Sequence, residues 1–379
     1  MEDKHMLMIP GPTPVPEKVL MALGKHPIGH RSGDFSKIIA EINQNLKWLH
    51  QTKNEVLSLN VSGTGAMEAG MINFLSPGDR VLVGVNGKFG DRWAQICEAF
   101  GLQTERITAD WGTPLDTEEI RTKLEADSNK EIKAVVITHS ETSAGVLNDL
   151  ETINKHVKAH DEALIIVDAV TSLGAYNIPI DDWGLDVVAS GSQKGYMIPP
   201  GMGFISVSDK AWKAYETSKF PRFYMDLGKY KKANAKDSSP FTPPINLMYG
   251  LQIALQMMQR EGLENIFARH LRLTNASRAA AQAMGLKLLA PDNAASTAVT
   301  AIMTDDAEAI RSTMRQKYDI ALAGGQDHLK GKIFRIGHLG FVSDRDILTA
   351  ISCLEATLIE LGHDFDAKAG VKAAAAALV

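Results

Sequence analysis

The chain has 379 residues, 45% hydrophobic and 22% charged, with a net charge of -5 and only two cysteines. Its length supports a sizeable core and more than one domain, and its mild acidity leaves no basic footprint for nucleic acid. Cys97 and Cys353 form no CxxC, which argues against a disulfide framework or a metal-thiolate site, and no run approaches the roughly 20 apolar residues of a membrane span.

The apolar stretch before Pro10 is only about five residues, too short for a signal sequence, so the expectation is a soluble, cytoplasmic protein. Residues 55–61, "EVLSLNV", read as a strand. "SGTGAMEAGMINFLSPGD" follows as a helix that Pro77-Gly78 terminates. "RVLVGV" is the next strand, with a helix around residues 93–100 after it. "KAVVITHS" and "ALIIVDAV" are continuous β-branched runs, the pattern of strands buried on both faces, and residues 149–160 between them read as a helix. "DVVAS" and "GMGFISVS" complete a series of strands alternating with helices, which predicts an α/β fold with a parallel or mixed sheet.

After Ser208 the character changes. Residues 209–240 read as polar and irregular, with "KYKKANAKDSSP" the most loop-like stretch. A long helix begins in "PPINLMYGLQIALQMMQREG" and continues past Gly262. From about residue 286 short strands and helices alternate again, and the Ala-rich end "VKAAAAALV" reads as a fraying helix. The expected organisation is an N-terminal arm over residues 1–19 that joins the smaller domain, a large α/β domain over 20–260, and a small C-terminal α+β domain over 261–379.

Five features carry chemistry. Ser62-Gly63-Thr64-Gly65 lies between a strand and a helix start, where free N–H groups and the helix dipole favour an anion. The same turn also reads as a simple N-cap. It is not a dinucleotide fingerprint, because Glu68 stands where a third glycine is required, and no Gly-Lys-Ser/Thr follows for a P-loop. Asp168 ends an apolar strand, the position where open α/β sheets bind ligands; it suits either a turn cap or a partner for a cationic ring nitrogen. Lys194 ends the next strand among Ser190, Gly191, Ser192 and Gly195. A partly desolvated amine loses its proton more easily and becomes a nucleophile toward a carbonyl. A phosphate cup, an acid for a pyridinium and a Schiff-base lysine are together what pyridoxal 5'-phosphate (PLP) requires. Phe89 sits in a glycine-rich loop, as a stacking platform or a core residue. Arg335, between apolar neighbours in "KIFRIGHLG", suits a substrate carboxylate or an inter-domain ion pair, with Arg31 as a rival.

These motifs resemble class V aminotransferases of PLP fold type I, nearest the alanine/serine–glyoxylate branch. The likeness rests on "MIPGPTPVP", "SGTGAME", "VNGKFGDRW", "HSETSAGVLN", "IIVDAVTSLGA", "SGSQKGYMIPPGMGF", "FTPPINLMYGL" and "FRIGHLG", in the family's order over nearly the whole chain. The resemblance implies that Lys194 carries the cofactor and shuttles a proton, that Asp168 holds the ring nitrogen, and that Val170 and Phe89 pack against the ring. It implies phosphate contacts from Ser62, Gly63, Thr64 and Gln193, and a side chain near the ring hydroxyl at Thr142. A homodimer follows from Thr242, which matches a phosphate contact given by the other subunit; Ser239 replaces a tyrosine found in some relatives. Arg335 matches the substrate-carboxylate residue. Glyoxylate is the expected amino acceptor and alanine or serine the expected donor, with no metal site. Alternatives are pyruvate as acceptor with serine or 2-aminoethylphosphonate as donor, an NAD-type oxidoreductase, and a hydrogenase-complex subunit.

Overall fold

A computed structural model describes residues 5–379. The first strands are β1 (Met6–Met8), β2 (Val56–Leu59), β3 (Arg80–Val85), β4 (Gln103–Thr108), β5 (Ile132–Thr138), β6 (Ser140–Glu141) and β7 (Val146–Leu147). They are followed by β8 (Leu164–Asp168), β9 (Val187–Gly191), β10 (Gly203–Val207), β11 (Lys287–Leu288), β12 (Val299–Met303), β13 (Ile320–Gly324) and β14 (Ile333–Gly337).

Seven of them form one mixed sheet in the order β2-β10-β9-β8-β5-β3-β4. The strands from β9 to β4 in that order run parallel, while β10 is antiparallel to β9 and β2. Successive side chains of a strand point to opposite faces, so continuous apolar runs feed two cores. Leu82, Val135, Ile165 and Val188 face helices Gly33–Leu49, Leu150–His160 and Ile245–Glu261. Val81, Val136, Ile166 and Val187 face helices Gly63–Ile72 and Lys88–Ala99. A second sheet, β1-β13-β14-β12-β11, has its own apolar core, and β1 pairs parallel with β13. Segment 6–8 therefore crosses to the sheet built from residues 287–337.

Residues 209–240 are more ordered than their polarity suggested. They contain helices Asp209–Thr217 and Leu227–Asn234. Ser208 Oγ accepts from Ala211 N at 3.1 Å and Asp226 Oδ1 from Gly228 N at 3.1 Å, so each helix has an N-cap. Leu227 and Tyr230 anchor the second helix in the core, while Lys229 and Lys231 lie over the Phe223 and Trp212 rings and mask the apolar period. The Ala-rich end is a packed helix, Ala369–Ala377, lying against helix Leu263–Ala283 with Gly370 and Ala374 buried. Glu355 Oε1 accepts from Gly370 N at 2.7 Å, which ties down the helix start.

Candidate active site

β8 and β9 are neighbours, and their carboxyl ends deliver Asp168 and the turn that carries Lys194. Beyond β9 the chain folds back on itself. Ser192 N donates to Met202 O at 2.9 Å and Ser192 Oγ to Pro199 O at 2.8 Å. From beneath, Tyr196 Oη lies 2.6 Å from Ser190 Oγ and 2.7 Å from His50 Nε2, pinning the turn to the core. Lys194 is only 9% exposed, and its Nζ donates to Pro10 O at 2.7 Å. The N-terminal segment thus covers the amine. A Cβ on Gly11, whose φ is +139°, would lie 2.6 Å from Lys194 Nζ, so a side chain there displaces the lysine. Burial pulls the Lys194 amine down to about 8; Asp168 opposes this, and the Arg335 and Arg92 charges reinforce it.

Asp168 Oδ1 accepts from Val170 N at 2.9 Å, leaving the other oxygen for a ligand. Burial pushes this carboxyl up to about 6, against the Val170 N–H; Glu141 pushes it further, and Lys194 and Arg92 hold it down. It is therefore mostly ionised at neutral pH.

Ser62, Gly63, Thr64, Phe89, Asp168, Val170, Gln193 and Lys194 line one cavity of about 340 Å³. Ser62 is the N-cap of helix Gly63–Ile72, its Oγ accepting from Gly65 N at 3.3 Å. The N–H groups of Gly63 and Thr64 have no carbonyl one turn back, so they remain available for an anion. A Cβ on Gly63 would press on Val170 at 3.2 Å, and one on Gly191 on Gln193 Oε1 at 3.3 Å, so the glycines keep a thin slot open. Gln193 Oε1 and Thr142 Oγ1 are buried with no hydrogen-bond partner. Orphaned buried polar atoms are rare and point to a missing ligand group. A planar ring with an anionic arm and a carbonyl fits this donor set, so PLP suits the residues present.

Arg335 lies in β14 and is buried. Its Nε and Nη2 donate to Gly324 O at 3.0 and 2.7 Å, and its Nη1 to Thr142 O at 2.7 Å. The carbonyls fix the guanidinium plane and leave two of its five N–H groups for a substrate. Burial lowers it to about 10, so it stays cationic at neutral pH. Thr142, in the turn between β6 and β7, touches Arg335 through its carbonyl. Thr142 and Arg335 stand behind the wall of the cavity rather than in its lining, and two other expected positions, Thr242 and Arg31, lie elsewhere. Thr242 lines a separate recess with Ser239, Tyr224 and Phe241, outside this cavity. Arg31 donates to Ser238 Oγ at 2.9 Å on the surface, which removes it as a rival to Arg335 in this chain.

Two residues escaped the sequence reading. Glu141 is fully buried, and its Oε2 accepts from Phe89 N at 2.9 Å and Gly90 N at 3.0 Å. Its Oε1 accepts from Ser143 N at 3.1 Å and Ser143 Oγ at 2.6 Å. Helix Lys88–Ala99 has Gly87 at its N-cap and no cap side chain of its own, so Glu141 caps it from another strand. Burial raises its carboxyl, against these hydrogen bonds. The signal was an acid just beyond an apolar strand, the argument that singled out Asp168. Arg92 also lines the cavity, one helical turn after Phe89, and a helix starting at Lys88 puts both on one face.

Aminotransferase class-V is the family whose profile matches, over residues 6–336. The chain belongs to the class V aminotransferase family. Its α/β architecture is that of PLP-dependent transferase fold type I, and the family's activity is amino transfer. The chain is similar to the ureidoglycine–glyoxylate aminotransferase of Bacillus subtilis, with a TM-score of 0.94 at 28% identity over 100% of this chain and 98% of that one. It is 37% identical to the serine–glyoxylate aminotransferase of Methylorubrum extorquens over 99% of this chain and 96% of that protein. It is 68% identical to the soluble hydrogenase 42 kDa subunit of Anabaena cylindrica, over 99% of each chain.

Proposed function

We propose that this aminotransferase uses PLP to move an amino group from a small amino acid, alanine or serine, to glyoxylate, giving glycine and a 2-oxo acid, and that it works as a homodimer. The reading rests on one convergence: a buried lysine amine softened to about 8, a buried carboxylate and a helix start with open amides share a single cavity. When bound, the cofactor supplies a carbonyl that takes up the amino group and a ring that spreads the negative charge left at the substrate carbon.

The chain's own residues do the rest. Asp168 holds a proton on the ring nitrogen by offering it an anionic oxygen in a dry site. Ser62, Gly63, Thr64 and Gln193 hold the phosphate, while Phe89 and Val170 confine the ring faces. Arg335 binds the carboxylate of donor and acceptor in turn and so fixes the orientation of the α-carbon. The Lys194 amine would take the proton from that α-carbon at Nζ and give it back at the carbon of the cofactor's carbonyl group, so the amine ends the exchange as it began. Thr142 serves the ring hydroxyl. Glyoxylate as the acceptor is supported by relatives named for it, the serine–glyoxylate aminotransferase of Methylorubrum extorquens among them.

The homodimer is supported by Thr242, which faces away from this chain's own cavity. The recess around it adjoins Phe223 and Tyr224, both exposed, and a second copy covering them would bring Thr242 to its neighbour's phosphate. The Anabaena relative's name raises a second reading, membership of a hydrogenase assembly. Among the described residues no three His, Cys, Asp or Glu side chains gather as a metal-ligand group, and burial pushes the Cys97 thiol up to about 12. The amino-transfer chemistry is assigned to this chain itself on the family match over residues 6–336. The test is a matrix of amino donors against glyoxylate and pyruvate. Alanine or serine with glyoxylate should turn over fastest; a cofactor-loaded protein that converts neither donor with either acceptor would refute the proposal.

A further inference from the structure

The cavity holds a cation that none of the roles above employs. Arg92 projects from helix Lys88–Ala99, with Nη1 3.3 Å from Thr64 Oγ1 and its guanidinium carbon 4.9 Å from the Phe89 ring centroid. Among the described residues the guanidinium's one hydrogen bond is that to Thr64. Among the described residues no carboxylate lies within 4.0 Å of it, and the adjacent Asp91 is taken by Arg106 at 2.7 Å. A guanidinium with open N–H groups at the wall of a ligand cavity calls for an anion.

Its place decides which anion. Thr64 is the second residue of helix Gly63–Ile72, so the guanidinium stands beside the open amides at the helix start, while the substrate-carboxylate task has Arg335. The cup formed by Ser62, Gly63, Thr64 and Gln193 is uncharged. A helix N-terminus supplies only about half a positive charge, short of what a phosphate carries. We propose that Arg92 is the counter-cation of the cofactor phosphate, held in place by Thr64 and by its packing on Phe89. This rests on the PLP reading above and adds to it a binding residue and a reason for the pairing of Phe89 with Arg92.

The test compares PLP with pyridoxal, which lacks the phosphate, on cofactor-free protein. Affinities are read by quenching of tryptophan fluorescence and by the mass of the borohydride-trapped adduct. Arg92→Gln should weaken PLP about tenfold to a hundredfold and change pyridoxal by less than about twofold. Arg92→Lys, which keeps the charge and loses the fork, should weaken PLP severalfold and carries the same comparison should the glutamine variant not fold. Equal losses for both ligands would overturn the proposal, because Arg92 would then only support the Phe89 ring. Unchanged PLP affinity with a raised KM for an acidic donor such as aspartate would also overturn it, in favour of a substrate-carboxylate role. Wild-type protein that binds neither PLP nor pyridoxal would instead refute the cofactor reading itself.

Discussion

The softened amine of Lys194 makes a quantitative claim. Burial takes it from 10.5 to about 8. At about pH 7 roughly one molecule in ten then carries a neutral amine, against roughly one in three thousand for an ordinary lysine, a gain of about 300-fold in the reactive form. The sign is set by protonation: only the neutral amine attacks an aldehyde, so capture rises with pH and levels off above the pKa. The assay mixes cofactor-free protein with PLP over a pH series, follows the visible absorbance of the bound cofactor, and uses Lys194→Ala as the background. The rate should climb about tenfold per pH unit and bend near pH 8. Asp168→Asn sharpens the test, because the Asp168 carboxylate raises the Lys194 pKa while Arg335 and Arg92 lower it. Removing that carboxylate should move the bend to lower pH. A bend near that of free lysine, or a shift upward in Asp168→Asn, would refute the electrostatic account of this site.

Other substitutions probe the frame around the lysine. Gly11→Ala places a methyl 2.6 Å from the Lys194 chain and should cut amino transfer by at least about tenfold with an unchanged secondary structure by circular dichroism; near-wild-type turnover would show that the arm yields freely. Glu141→Gln replaces one of the two acceptor oxygens by an amide donor, which must then face either the Ser143 N–H or those of Phe89 and Gly90. It should cost about 2 kcal/mol of stability in denaturant unfolding and weaken PLP and pyridoxal alike through Phe89; a fully stable variant would mean that the carboxyl is already protonated. If the proposed dimer forms, Thr242→Val should leave it intact in sedimentation and weaken PLP severalfold, whereas a monomer with full PLP affinity would remove Thr242 from the site.

The legible parts of this molecule share a property: their signal lies within one short segment. The β-branched runs at 133–138 and 163–170 announce buried parallel strands because period and composition agree locally, and the turn at 62–65 announces a helix start. Asp168 and Lys194 stood out because each breaks an apolar strand with a charge. Helix Leu227–Asn234 was hidden by its lysines, two of which place their ammonium groups over aromatic rings while only Leu227 and Tyr230 are buried. The edge strand β4, "QTERIT", carries too little apolar content to announce itself. Glu141 and Arg92 were hidden for a different reason. Their partners, the amides at 89–90 and the hydroxyl of Thr64, are remote in sequence, and only the packed helix Lys88–Ala99 brings them together.

That helix accounts for the charge balance around the lysine. Arg92 on the helix and Arg335 on β14 place positive charge around Lys194, and Asp168 on β8 places a negative charge beside it. Burial does most of the lowering, the two cations add to it and Asp168 opposes it, while Asp168 also supplies the anionic partner that a ring nitrogen would need. These charges come from elements that contact one another only after the seven-stranded sheet and the β12–β14 sheet are in place, with Pro10 closing over the amine. A lysine in this position is costly in any partly folded chain, since burial without these partners leaves it uncompensated. Its tuning is a property of the assembled fold, and a perturbation at Gly11, about 180 residues away in sequence, acts on the same amine through direct contact.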